Sequence, residues 1–173
     1  MRRTGATAED ESAVKCELAA QVLRSFGTLR FVATGWSMLP SLWPGETLLV
    51  ERISENNGND HVHIGDIVLV RREIGLCAHR VVAVVGTSEN PRWITQGDAL
   101  PAPDNRPVDA NELLGRVVYV IRGGRLIELS ADLSAAQSLI ATIVRRSVPA
   151  ARAFVYLNRL LQISEKPVLP CQG

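Results

Sequence analysis

Between residues 29 and 129 this chain is a series of short apolar runs divided by turn-forming residues, a pattern that directs it toward a mainly antiparallel β domain. The runs cover residues 47–53, 66–71, 77–85, 92–95, 113–121 and 126–129, each rich in Val, Ile and Leu. Gly123-Gly124 between the last two is a hairpin signal. Residues 54–60 are a polar loop and residues 99–107 a Pro-rich one. No internal repeat is visible at any period.

The flanks read differently. Val14, Leu18, Val22 and Phe26 recur four apart, which predicts an N-terminal helix presenting them on one face and stopped by Gly27. Residues 132–163 return to helical periodicity, with Leu139, Ile143, Phe154, Leu157, Leu160 and Leu161 as apolar positions and Pro149 as a kink or break. The charges of this stretch between Asp132 and Glu165 are all arginines: Arg145, Arg146, Arg152 and Arg159. Such a basic amphipathic helix either packs on the β domain with its arginines in water or lies peripherally on an anionic membrane surface. The expected organisation is a helical segment over 1–28, a β domain over 29–130 and a C-terminal amphipathic segment over 131–173, an α+β protein dominated by β.

With 173 residues, 46% of them hydrophobic, the chain can build one sizeable core. A net charge of +1 gives no electrostatic footprint for nucleic acid, and no DNA-binding helix pair precedes the β runs. No stretch reaches the roughly 18 apolar residues of a membrane span; the nearest, 133–144, ends at Arg145-Arg146. Arg2 and Arg3 lead into Glu9, Asp10 and Glu11 rather than an apolar segment, so no secretory signal is read. Cys16, Cys77 and Cys171 are an odd set at no metal-like spacing, which fits reduced thiols and a cytoplasmic location. His61 and His63 lack a third ligand nearby, so neither a metal nor another cofactor is expected.

The chemistry-bearing residues lie within the β region. Gly35-Trp36-Ser37-Met38-Leu39-Pro40 can hold a hydroxyl at a strand end with its own N–H free to receive an oxyanion; the other reading is a plain loop. His79 stands inside an otherwise apolar strand, where a neutral imidazole can act as a base near neutral pH. Asp98 and Asp104, in a loop stiffened by Pro101 and Pro103, are either solvated turn formers or carboxylates that orient the imidazole. The chain's two lysines, Lys15 and Lys166, lie outside the β region, so if Ser37 is activated its base is His79. Cys77 shares the His79 strand face and is a distant second nucleophile. Trp36 and Trp43 either line a substrate groove or pack on the core.

These motifs resemble the signal peptidase I family, within the larger group of serine peptidases that includes the LexA-like self-cleaving repressors. Residues 35–46 are similar to the family's nucleophile box, and Gly65-Asp66-Ile67-Val68 to the strand that follows it. His79-Arg80-Val81-Val82 and Gly97-Asp98 resemble the archaeal and endoplasmic-reticulum branch, which uses histidine where the bacterial branch uses lysine. The resemblance implies a LexA/signal peptidase type of β domain, Ser37 as nucleophile, His79 as general base, Asp104 as the matching acid and Asp98 as a second carboxylate nearby. It further implies an extended peptide or protein substrate with small residues before the cut, bound near Trp36, Met38 and Pro40. The chain differs from that branch in carrying a charged amphipathic segment where members have a membrane anchor, and Ala99 where Asn is usual.

Overall fold

The computed structural model of the chain describes residues 8–53, 61–73, 75–146 and Tyr156. Helix α1 (Ala8–Phe26) precedes seven strands: β1 (Thr28–Val32), β2 (Thr47–Glu51), β3 (Ile67–Arg72), β4 (Gly75–Thr87), β5 (Asn90–Gln96), β6 (Leu113–Arg122) and β7 (Arg125–Glu128). Helix α2 (Ala135–Arg146) follows them. Every pairing is antiparallel, in the order β1-β2-β6-β3-β4-β5, with β7 paired to β6. The protein is therefore mainly antiparallel β within the α+β class, as its apolar runs predict.

Each predicted run lies in a strand, with shifted ends, and β1 is added to them. Its sequence, Thr-Leu-Arg-Phe-Val, alternates exposed and half-buried positions and pairs with β2 alone, so it carries the weaker signal of an edge strand. The β6–β7 hairpin turns at Gly123 and Gly124, whose φ values of 56° and 76° are those a two-residue turn of this hand requires.

Strand β3 is buried on both faces and divides the core. Ile67 and Leu69 enter one cluster with Leu48, Val50 and Val120, while Val68 and Val70 enter another with Val81, Trp93 and Val108. That split follows from the two-residue period of a strand. A third cluster joins Leu39, Ala99 and Trp43 to Ile140 and Val144 of α2.

The face that α1 presents to the sheet is not the expected one. Cys16, Ala19, Ala20 and Leu23 are buried, whereas Val14, Leu18 and Phe26 are 66%, 59% and 77% exposed. Both stripes have helical spacing, and the stripe with small side chains lets the helix backbone come closer to the sheet. On α2, Ile140 and Val144 pack inward while Leu139 and Ile143 are exposed. Among the described residues no helix is long and apolar enough to cross a membrane. The expected break at Pro149, the apolar positions Phe154, Leu157, Leu160 and Leu161, the arginines 152 and 159, the loop over 54–60 and Cys171 lie outside the described residues.

Candidate active site

The serine box is a closed excursion from the sheet. Past the end of β1, the Ala33 N–H donates to the Glu46 carbonyl at 2.9 Å and the Gly45 N–H donates back to Ala33 at 2.7 Å. Inside this loop the Leu39 N–H donates to Trp36 O and the Leu42 N–H to Met38 O, forming a tight turn that contains a cis Leu39–Pro40 peptide. Glu46, buried, accepts from the Trp43 N–H at 2.9 Å and pairs with Arg122, which fixes the far side of the loop.

Ser37 opens the turn, beyond the strand end rather than on it. The two residues that follow it are buried in different clusters, Met38 in the sheet core and Leu39 against Val144 of α2, which anchors the serine from its C-terminal side. The Ser37 carbonyl accepts the Ala99 N–H at 2.8 Å, and its own N–H makes no backbone hydrogen bond among the described residues. Gly97 passes so close that a Cβ there would lie 2.6 Å from Ser37 O, an approach open only to glycine.

His79, buried on β4, meets this hydroxyl. Its Nε2 lies 3.2 Å from Ser37 Oγ, and its Nδ1 lies 2.8 and 3.0 Å from the two oxygens of Asp104. An Nδ1–H donating to the carboxylate leaves the Nε2 lone pair facing the serine hydroxyl. Asp104 also accepts the Thr95 hydroxyl at 2.6 Å, and its N–H donates to Thr95 O at 2.8 Å. Burial by itself would raise the Asp104 carboxyl; hydrogen bonds from His79 and Thr95, with the charges of His79 and Arg72, outweigh it and hold the carboxyl below its ordinary range.

Asp98 is not part of this row. It is 4% exposed and forms two parallel bonds with Arg80, from Nε and Nη2 at 2.9 Å each, while Ser41 Oγ donates to Oδ2 at 2.5 Å. The remaining Arg80 nitrogen donates to the carbonyls of Gly65, Ser130 and Ala131. Arg80 follows His79 in a strand and so points to the opposite face, where Asp98 is its counterion. An arginine inside an apolar strand implies such a partner, and that signal was available in the sequence.

The chain matches no family model and no curated protein.

Beside Ser37 lies a cavity of about 150 Å³ walled in part by Phe31, Ala33, Met38, Leu76 and Ala78. Of the three residues expected to touch substrate, Met38 is in this wall, while Trp36 is exposed outside it and Pro40 is buried where Leu39 draws the chain inward. Trp43 packs in the α2 cluster rather than lining a groove. Cys77, also in the wall, has its thiol pushed up to about 11 by burial and then by the Asp104 charge, which argues against a thiolate nucleophile. His63 is exposed, with its backbone N–H donating to Asp66, and His61 is exposed as well; among the described residues no metal-binding group of three is present.

Two contributors were not read from the sequence as site residues. Thr95 stood only as the end of a run, and Arg72 as half of a basic pair, Arg71-Arg72, that reads as solvated surface; Arg72 is instead 13% exposed, and both lie behind Asp104.

Proposed function

We propose that this chain is a serine endopeptidase of the signal peptidase type, built on a LexA-like β domain. The observation that carries the reading is the hydrogen-bonded row from Ser37 through His79 to Asp104. His79 Nε2 takes the Ser37 proton as Oγ attacks the peptide carbonyl. The Ser37 N–H is available to the developing oxyanion. The imidazolium, supported by ionised Asp104, then protonates the leaving amine as the C–N bond breaks. Water, deprotonated by His79, cleaves the acyl-enzyme and returns the proton to Ser37.

An extended substrate is favoured by the sheet itself. β3 pairs with Gly75–Arg80 of β4, whereas β5 joins β4 only from Arg80 onward, so, among the described residues, 75–79 have a strand neighbour on one edge alone. A peptide added at that edge would run beside the small apolar cavity and reach Ser37 and His79. Small residues before the cut fit its volume and the family resemblance. Cleavage of a mixed peptide library, read by mass spectrometry, tests the proposal. New ends produced by the wild type and absent with Ser37→Ala and His79→Ala are expected; identical ends from all three proteins would sink it.

The exposed Leu139 and Ile143 favour peripheral contact with a membrane as an accompanying feature, while Arg145 Nε on the same helix donates to the Asp98 carbonyl at 3.0 Å. Co-sedimentation with anionic vesicles is the expected result, and its absence removes that feature.

A further inference from the structure

We infer that Arg72 and Thr95 are positioning residues that hold Asp104 in place behind His79, extending the row to Arg72–Thr95–Asp104–His79–Ser37. This rests on the peptidase reading and deepens it.

Thr95 is fully buried at the end of β5 and grips Asp104 twice, by its carbonyl and by its hydroxyl. A hydroxyl has one proton to donate. Because Arg72 Nη2 approaches Thr95 Oγ1 as a donor at 3.4 Å, that single proton is directed to Asp104 Oδ2, the oxygen nearest His79 Nδ1. The same nitrogen lies 3.6 Å from Oδ2, so a fixed cation stands beside the carboxylate oxygen that His79 Nδ1 also approaches.

The way Arg72 is held argues for a role beyond packing. Arg80, the structural arginine of the neighbouring cluster, has a hydrogen-bond partner on each of its three nitrogens. Arg72 has contacts of 3.2 and 3.4 Å through Nη2, and its Nη1 is buried without a hydrogen-bond partner, 3.7 Å from Glu112. What Arg72 supplies in this position is positive charge, shared between Glu112 at 3.7 Å and Asp104 at 3.6 Å.

The ionisable groups around the row come from several elements. Arg72 belongs to β3, Cys77 to β4, and Asp104, Arg106 and Glu112 to the segment between β5 and β6, where Arg106 Nη2 and Glu112 Oε1 pair at 2.6 Å. Of these, Arg72 is the cation in contact with Asp104. Removing it takes away one of the charges that hold the Asp104 carboxyl below its ordinary range, so that carboxyl should move up.

The test is an NMR titration of the aspartate carboxyls in the full chain, with Asp104→Asn used for assignment. Cleavage of a peptide taken from the library screen is followed in parallel. Arg72→Met should move the Asp104 midpoint up toward the ordinary aspartate value, and Arg72→Lys by less. Thr95→Val should weaken or remove the downfield signal of the Nδ1 proton shared with Asp104 and lower kcat about tenfold with little change in KM, and Thr95→Ser should restore both. Wild-type midpoints and an intact Nδ1 signal in folded Arg72→Met and Thr95→Val overturn the inference. If the wild type cuts no peptide yet the midpoint and signal change as stated, the peptidase reading fails and the positioning of Asp104 stands.

Discussion

Two trios that share a serine and an aspartate and differ in the middle residue lie back to back in this protein. Ser37, His79 and Asp104 form one; Ser41, Arg80 and Asp98 form the other. Both take their serine from the same turn, their central base from consecutive positions of β4 and their aspartate from the loop after β5. Strand geometry separates them, because neighbours on β4 point to opposite faces. In the arginine trio the cation is permanent, the serine proton is committed to Asp98 at 2.5 Å, and every guanidinium nitrogen is occupied. In the histidine trio the hydroxyl faces an imidazole nitrogen at 3.2 Å, a group that, unlike a guanidinium, can accept a proton and give it back. A change of the middle residue thus makes a fastener on one side and a candidate nucleophile on the other. What decides between them is whether the middle group can titrate.

The sharpest way to break this comparison is to remove the two serines separately. Ser37→Ala should lower peptide cleavage by roughly a thousandfold or more while leaving the urea midpoint near that of the wild type. Ser41→Ala should do the reverse, keeping most of the activity and losing about 1–3 kcal/mol of stability because a buried carboxylate loses a donor. Equal activity in the two variants would erase the distinction.

The next effect is on the fastener alone. Arg80→Ala leaves Asp98 buried and unpaired and frees the carbonyls of Gly65, Ser130 and Ala131, at a cost of about 3–5 kcal/mol by urea unfolding. Combining Arg80→Met with Asp98→Leu should recover part of that loss, since no uncompensated charge is left inside. A wild-type midpoint for Arg80→Ala would mean the pair holds nothing.

Gly97 links the two trios, lying between Asp98 and the Ser37 backbone. Gly97→Ala places a methyl 2.6 Å from the Ser37 carbonyl and 3.0 Å from its Cβ, so the turn must shift. We expect a loss of about 1–3 kcal/mol and a larger fractional fall in kcat than in KM. Unchanged kcat in the folded variant would show that Ser37 tolerates displacement.

Much of this was legible in the chain, and the reasons are specific. The strands followed from Val/Ile/Leu runs between turn residues, and the Gly123-Gly124 hairpin from a dipeptide with few alternatives. Ser37, His79 and Asp104 stood out as a set, because together they supply a hydroxyl, an imidazole and a carboxylate, whereas each alone reads as a loop or packing residue. Asp98 was read only as a second carboxylate near the site, because side-chain direction at a loop is not encoded in spacing. Only the fold shows that Asp98 meets the face of β4 carrying Arg80. The buried face of α1 was misread because two stripes share one period, and packing distance, absent from the sequence, chose the one with Cys16, Ala19 and Ala20. Thr95 and Arg72 had no distinguishing pattern, since their role exists only through Asp104.

The smallest effect concerns the pH dependence of folding, and its sign follows from Asp104. Burial favours the protonated carboxyl, but the bonds from His79 and Thr95 and the nearby charges prevail, so the native carboxyl titrates below the unfolded one. An unfolded aspartate takes its proton near pH ~3.9. As the pH falls through that value the unfolded chain binds a proton that the native protein still refuses, and stability drops. The contribution is complete above the unfolded value and is lost as the pH passes through the lowered native one. Asp104→Asn removes this carboxyl, so its unfolding free energy should fall less steeply than that of the wild type between about pH 5 and pH 3. Urea melts at several pH values measure the two slopes. A steeper decline in the wild type means that His79 and Thr95 bond an ionised acid, the state needed to support an imidazolium. Parallel slopes would mean that Asp104 gains nothing from its neighbours, and the histidine trio would then lack the charge that sets it apart from a plain hydrogen-bonded chain.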